Sequence, residues 1–257
     1  MAIDDLTVAH NGHTYQIAVR RHAKATRFTL RIRAATRDAV LTAPMRSRLS
    51  EACKFASEHA EWIHSKLLKV PDTIPFQHGS VIPIRGVEHQ IVHVATERGL
   101  VSLGHAARDG ANVNQPLFLY VSGHEEHIER RTRDFLRGLT TGDIRSAVKK
   151  HSDKLNIKPP QATIRDTVSR WGSCSSSGAL NFSWRLIFAP AFVLDYLAAH
   201  EVSHILEMNH SKRFWAIVEN LCPETAMAEK WLDIHGASLH RYGAKHTGVR
   251  ALKPTKS

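Results

Sequence analysis

Alternating hydrophobic and polar positions indicate that the first part of the chain is rich in β-strands. In the segment RFTLRIRA, residues 27–34, apolar side chains occupy one side and basic or hydroxyl side chains occupy the other. This period of two is typical of a strand with one buried face. We predict strands over residues 14–43, ending before Pro44, and shorter strands over residues 87–95 and 117–122.

A helical period replaces this alternation in several later segments. Apolar residues recur at helical spacing over residues 47–70, which predicts an amphipathic helix. A charged stretch over residues 124–156 also predicts a helix, in which Gly138 and Gly142 are candidate break points. Further elements are predicted in the order strand, strand, helix, helix, helix, over residues 162–170, 179–188, 190–207, 211–221 and 224–240.

These elements predict an α+β protein in which an N-terminal β-rich part precedes a mostly helical domain with a small antiparallel sheet. A length of 257 residues accommodates two domains. We place the boundary near residue 123, so that residues 1–123 form a β-rich domain with one helix and residues 124–243 form the second domain. Residues 244–257 are basic and lack periodicity, which predicts a flexible tail.

The chain has a net charge of +11, with basic clusters at Arg20–Arg37 and Arg130–Lys150. Such charge attracts nucleic acid or another polyanion, although a solvated basic face is the more common explanation. No RNA- or DNA-reading motif accompanies it, no base-stacking aromatic residues lie on the Arg27–Arg33 face, and acids interleave the second cluster. We therefore expect only weak nucleic-acid binding through the basic face, easily screened by salt.

The sequence also predicts a compartment. The N-terminal segment carries acids and histidines where a secretory signal needs a basic start and an apolar core, and no stretch approaches the apolar length of a membrane span. Cys53, Cys174 and Cys222 are widely spaced, without a CxxC pair, which fits a reducing environment. We expect a cytoplasmic protein with no membrane partner.

The segment AAHEVSHILEMNH contains the pattern H-E-x-x-H at His200, Glu201 and His204. Four residues make about one helical turn, so both imidazoles leave one face of a helix and can reach one metal ion. Glu201 lies about 100° around the helix axis and can reach a water without being a ligand. From the residue frequencies of the chain, about 0.06 occurrences of H-E-x-x-H are expected by chance. The alternative interpretation, a buried helix that carries two core histidines without a metal, is therefore the weaker one.

His210 is the natural third ligand. It lies six residues beyond His204, so the helix must end first, and Asn209 in a left-handed conformation can supply that ending. Ser211 can then cap the next helix. Three protein ligands and an open position for water are typical of a catalytic zinc, which predicts one Zn²⁺ per chain. Asp195, Glu207 and Asp233 are candidate partners for the imidazole N–H groups.

Two neighbouring segments have candidate roles. The residues from Trp171 to Cys174 suit a packed turn, with lining of the cleft as the alternative. An exposed strand near residues 179–185 could hold an extended peptide by strand addition.

The segments RWGSCSSSGALNFSWRLIFAP and LDYLAAHEVSHILEMNHSKRFWAIVENLCPE closely resemble the YgjP-like metallopeptidases, relatives of the SprT-like and WLM-type zinc peptidases. The resemblance is strong over residues 168–235. It implies that residues 124–243 form a minimal zincin-like catalytic domain, that His200, His204 and His210 bind zinc, and that Glu201 is the catalytic carboxylate. His204 is followed by Ile205-Leu206-Glu207 without the glycine of the longer metzincin pattern, so Met208 and Asn209 must form the turn.

The combined expectation is a zinc metallohydrolase, namely a metallopeptidase that acts on peptide or protein substrates with a zinc-bound water activated by Glu201. One alternative is a zinc hydrolase acting on a nucleotide phosphoanhydride, with the surplus basic residues clamping phosphates. No P-loop supports it. A second alternative is a nucleic-acid-associated module with a structural zinc. The Glu201 carboxylate and the lack of a fourth strong ligand argue against a closed structural site.

Overall fold

A computed structural model describes residues 3–33, 38–68, 72–95, 99–105, 117–243 and 249–251. By their contacts, the chain divides into unit 1, Met1–Thr73 with Ala244–Ser257, and unit 2, Ile74–Gly243. This division does not coincide with the boundary expected near residue 123. The strands after Ile74 belong to unit 2 because Ile82, Ile91 and Leu119 lie in the same hydrophobic core as its helices.

Unit 1 is a sheet covered by two helices. Its elements are β1 (Ile3–His10), β2 (His13–His22), β3 (Thr29–Arg33), β4 (Asp38–Pro44), α1 (Leu49–Glu58) and α2 (Ala60–Leu68). The strand order is β1-β2-β4-β3, with β2 and β4 parallel and the other neighbours antiparallel. A short strand at Val249–Ala251 also pairs with β2, within the segment expected to be a flexible tail; residues 244–248 and 252–257 lie outside the described residues.

The core of unit 1 follows from the alternation of β2. Tyr15, Ile17 and Val19 are buried, together with Ala52 of α1 and Ile63 of α2. The helical period over residues 47–70 is confirmed in type. The segment forms two helices, because α1 ends at Glu58 and the backbone N–H of the next residue, His59, closes the last turn onto the Ala56 carbonyl.

Unit 2 begins with a second sheet and a long helix. Its first elements are β5 (Val81–Ile84), β6 (Val87–Val94), β7 (Val101–His105), β8 (Leu117–Ser122) and α3 (Ile128–Lys154). The strand order is β5-β6-β8-β7, in which β6 and β8 are parallel. Helix α3 is continuous through Gly138 and Gly142, so neither glycine breaks it.

A small three-stranded sheet follows, formed by β9 (Ala162–Arg165), β10 (Gly172–Cys174) and β11 (Leu180–Ser183). It is mixed rather than antiparallel, because β11 pairs antiparallel with β10 and parallel with β9. Since β11 is the central strand, the exposed strand expected near residues 179–185 is wrong, and β10 lies at an edge. After Ser183 the chain forms a buried 3-10 helix, Trp184–Phe188, instead of a longer strand.

The last elements are α4 (Ala191–Ser203), α5 (Lys212–Leu221), α6 (Thr225–His235) and a 3-10 turn at Gly236–Arg241. Helix α4 is apolar nearly all round and is accordingly buried, with Val193, Ala198 and Val202 inaccessible to solvent. The α+β class, with a strand-rich N-terminal region followed by helices and small mixed sheets, is confirmed. No helix in the described part of the chain is long and apolar enough to cross a membrane.

Candidate metal centre

Three imidazoles converge at the C-terminal end of α4. His200 lies in its last turn, His204 caps it, and His210 lies in the following loop. The Nε2 atoms of His200 and His210 are 3.1 Å apart, and one ligand nitrogen from each of the three side chains lies within 4.8 Å of the others. The structure therefore brings together the three histidines that the sequence singled out.

The loop that brings His210 back to His200 and His204 begins earlier in the chain than expected. Helix α4 ends at Ser203, and the backbone N–H groups of Leu206 and Glu207 both bond to the Ser203 carbonyl. Asn209 does not adopt a left-handed backbone, so the predicted Asn209 ending is wrong. The predicted Ser211 cap is confirmed, since its hydroxyl accepts the Phe214 N–H at 3.3 Å.

The Phe214 ring packs against all three imidazoles. It is fully buried and stacks on His204, with ring centroids 4.5 Å apart and planes 27° from parallel. The centroids of His200 and His210 lie 4.9 Å and 4.7 Å from it, both edge to face. Because the Ser211 cap fixes the first turn of α5, the same turn holds both Phe214 and the loop that carries His210.

Hydrogen bonds at the Nδ1 atoms define which nitrogen of each imidazole is available. The Nδ1–H of His204 donates to the Glu207 carbonyl at 3.1 Å. Tyr196 donates its hydroxyl proton to Glu229 Oε1 at 3.0 Å and so accepts from His200 Nδ1 at 3.3 Å. In both rings this assignment leaves the Nε2 lone pair directed at the centre.

The candidate partners named from the sequence behave differently. Asp195 pairs with Lys150 and, at 3.0 Å, with His151, not with a site imidazole. Glu207 contributes its backbone carbonyl rather than its carboxylate. Asp233 only lines the adjacent cleft. Tyr196 was missed, although its position four residues before His200 on one helix face was a usable signal; no sequence signal pointed to Glu229.

The protonation states of the imidazoles suit metal binding. Burial, together with the neighbouring His204 and His210, lowers the pKa of His200 to about 4. Burial also lowers the pKa of His204. Both rings are thus neutral near pH 7 and present lone pairs, which is the form that binds a divalent cation.

Glu201 lies beside this cluster and is almost completely buried. Its side chain is 5% exposed, and burial raises its pKa to about 7, against the opposing effect of Arg170. A cation held by the imidazoles would add a favourable charge for the carboxylate form. A carboxyl group with this pKa is suited to proton exchange with a molecule bound beside the three imidazoles.

The edge strand β10 packs its backbone against Glu201. A Cβ atom on Gly172 would lie 2.4 Å from Glu201 Oε1 and 2.8 Å from its Cγ. The predicted packed turn therefore contains a short strand whose glycine permits close approach. Trp171 stacks on His240 with centroids 4.9 Å apart, and burial and the Glu201 charge raise the pKa of Cys174.

An open cleft of about 380 Å³ adjoins the cluster. It lies between β10, α4 and α6, and its wall contains Trp171, Gly172, Tyr196, Leu197, His200, Glu201, Glu229, Leu232 and Asp233. A substrate in this cleft would lie against both the His200 imidazole and the Glu201 carboxylate.

The donor set fits a tetrahedral metal ion with one open position. Metal–imidazole bonds of about 2.0–2.1 Å in a tetrahedron separate two nitrogens by about 3.3 Å, close to the 3.1 Å between His200 and His210. Among the described residues, no fourth His, Cys, Asp or Glu joins the group. The site therefore resembles a catalytic centre more than a closed structural one.

We predict that Gly172→Ala destabilises the protein by about 1–3 kcal/mol, because the added methyl group must displace the Glu201 side chain. Denaturant unfolding measures the change. Gly138→Ala is the matched control: nothing lies within 4 Å of its Cβ position in α3, so it should stabilise by about 0.5–1 kcal/mol. An undiminished penalty for Gly172→Ala in a Glu201→Ala background would contradict this explanation.

Comparisons with known proteins agree with this geometry. The sequence profile described as "YgjP-like, metallopeptidase domain" matches residues 26–235, a range that contains all three histidines and Glu201. No curated protein and no solved structure gives a match to the chain. The resemblance inferred from the segments around Trp171 and His200 is thereby confirmed, and the chain belongs to the YgjP-like family of metallopeptidase domains.

Proposed function

We propose that the protein is a zinc-dependent metallopeptidase in which His200, His204 and His210 hold Zn²⁺ and Glu201 is the general base. The observation that carries the proposal is the convergence of three imidazole nitrogens next to a buried carboxylate. Membership of a metallopeptidase family supports the reaction class. Neutral imidazole ligands with one open position favour zinc as the metal.

The chemistry divides between the metal and the side chains. A bound zinc ion supplies a Lewis acid that lowers the pKa of water to roughly 7 and polarises a carbonyl group. A carboxylate oxygen of Glu201 accepts the proton of the attacking water and delivers it to the nitrogen of the leaving amine. The packing of Gly172 on Glu201 restricts the rotation of this carboxylate and keeps it beside the cleft.

The edge strand β10 is the proposed binding surface for an extended peptide. Backbone bonds join Ser183 N–H to Trp171 O and Ser175 N–H to Ala179 O, each 2.9 Å long. In an antiparallel pair these directions alternate, so the backbone groups of Gly172 and Cys174 point away from β11. A peptide added as a strand at this edge would pass directly beside Glu201.

The cleft argues against a phosphoanhydride substrate. Its wall contains Glu229 and Asp233 but no Lys or Arg, so it lacks the basic side chains that would clamp a polyphosphate. The alternative of a structural zinc is disfavoured because the described residues offer three ligands instead of four.

We predict about one zinc per chain in the purified protein and loss of most of it in His210→Ala, because two remaining imidazoles hold the ion weakly. Elemental analysis after dialysis measures both values. His235→Ala, which changes an exposed histidine outside the cluster, is the matched control and should keep its zinc. Equal zinc retention in His210→Ala would remove His210 from the ligand set.

We predict that Tyr196→Phe weakens zinc binding by about 10–100-fold, because His200 Nδ1–H loses the partner that orients the ring. Competition with a chromogenic chelator measures the affinity. Glu229→Gln keeps an acceptor oxygen for the Tyr196 hydroxyl and should stay closer to the wild type. Wild-type affinity in Tyr196→Phe would show that this hydroxyl does not orient the ligand.

We predict that Glu201→Gln retains zinc and lowers peptide turnover by about 10²–10⁴-fold, because the amide cannot accept the proton of water. A panel of peptide, protein and nucleotide substrates, with and without zinc, measures turnover. Glu207→Gln is the control, since Glu207 meets His204 through its backbone carbonyl. Zinc loss in Glu201→Gln would make Glu201 a ligand, and cleavage of nucleotides alone would overturn the peptidase assignment.

A further inference from the structure

The positive charge of the protein is concentrated in unit 1. This unit, Met1–Thr73 with Ala244–Ser257, contains 16 of the 35 Lys and Arg residues but 7 of the 24 Asp and Glu residues. Unit 2 contains the remaining 19 basic and 17 acidic residues, and is therefore nearly balanced. The net charge of +11 is thus mainly a property of the smaller unit.

The second basic cluster, on α3, is partly compensated within its own helix. Ion pairs at helical spacing link Arg130 to Asp134, Arg133 to Glu129 and Lys149 to Asp153. For these three residues the i, i+4 pairs are typical of a solvated helix face.

Unit 1 contains an aromatic cleft of about 310 Å³ at the start of β3, next to α1 and α2. The rings of Phe28 and Phe55 stack with centroids 5.4 Å apart, and His59 continues the row at 4.2 Å from Phe55. Trp62 borders the same cleft and is 38% exposed. Arg27 also lines it, so a cation lies beside the aromatic rings.

We propose that this cleft binds single-stranded nucleic acid, with bases stacking on Trp62 and His59 and with Arg27 and the exposed Arg31 near the phosphates. Aromatic faces beside a positive surface are the recurring means of holding unpaired bases without sequence preference. In the described residues no carboxylate pairs with Arg27 or Arg31. Glu58 and Glu61 precede His59 and Trp62 in sequence but do not line the cleft.

The charge of unit 1 favours single-stranded nucleic acid over a proline-rich peptide as the occupant of this cleft. A proline-rich segment also docks on aromatic grooves, but it gains nothing from the excess of basic residues in unit 1. A polyanion gains affinity from each phosphate that Arg or Lys neutralises. The expectation that the Arg27–Arg33 face lacks base-stacking aromatics considered the strand alone; the helices α1 and α2 bring Phe55, His59 and Trp62 into one cleft with Arg27.

The test is fluorescence anisotropy with a labelled oligo-dT of about 15 nucleotides, a length that spans one such site, titrated with the full chain at several salt concentrations. We expect micromolar or tighter binding that weakens by about 0.7 log units per phosphate contact for each log unit of salt. Arg27→Ala should reduce that slope by about 0.7, whereas Arg130→Ala, on α3, should leave it unchanged.

Stacking is tested by substituting Trp62. Trp62→Ala should weaken oligo-dT binding about 10-fold, and Trp62→Phe should restore most of the affinity, because both aromatic rings stack on bases. Leu68→Ala, which removes another exposed apolar side chain from α2, is the control and should bind like the wild type. Thermal unfolding of each variant verifies that unit 1 remains folded.

Three results would overturn the proposal. The first is wild-type affinity in Trp62→Ala. The second is equally tight binding of a duplex of the same length, whose paired bases cannot stack on side chains. The third is binding of a proline-rich peptide by the cleft when oligo-dT does not bind. None of these measurements depends on the metal centre, so the proposed peptidase activity stands or fails separately.

Discussion

Burying ionisable groups on an apolar helix is costly unless each group is neutral, hydrogen-bonded or next to a cation. Helix α4 carries His200 and Glu201 into such surroundings and ends at Ser203, with His204 as its cap. Contacts around the site offset this cost of burial. Tyr196 and the Glu207 carbonyl accept the imidazole protons, Phe214 fills the space beneath the rings, and a metal ion at the centre would supply the missing positive charge for Glu201.

The same constraint explains which parts of the site could be predicted from the sequence. The spacing of His200, Glu201 and His204 depends only on helix geometry, and the Ser211 cap depends on local chemistry. The loop between them could not be predicted because its path is determined by packing: the chain leaves the helix at Ser203. Strand β10 was missed because three residues are too few to show a period, and its glycine is explained only by the distant Glu201.

The fold was predicted in class, while several elements depended on contacts that a local pattern does not contain. β1 and β5 were missed, and each forms an antiparallel hairpin with the following strand, so their burial depends on that pairing as much as on their own alternation. The segment 184–188 is apolar enough for a strand but forms a 3-10 helix, in which all five residues are buried and all except Arg185 join the hydrophobic core of unit 2. The aromatic cleft of unit 1 likewise arises only when α1 and α2 meet β3.

The division of the chain also has a consequence for biosynthesis. Unit 2 interrupts unit 1 in sequence, because the strand at Val249–Ala251 pairs with β2 near Tyr15. During translation α1 and α2 therefore emerge from the ribosome long before the strand Val249–Ala251, which pairs with the edge of β2. During that interval the backbone of residues 13–15 lacks this partner and is open to pairing with another nascent chain. The time needed to synthesise unit 2 thus sets a minimum for how long this edge of the first unit remains unpaired.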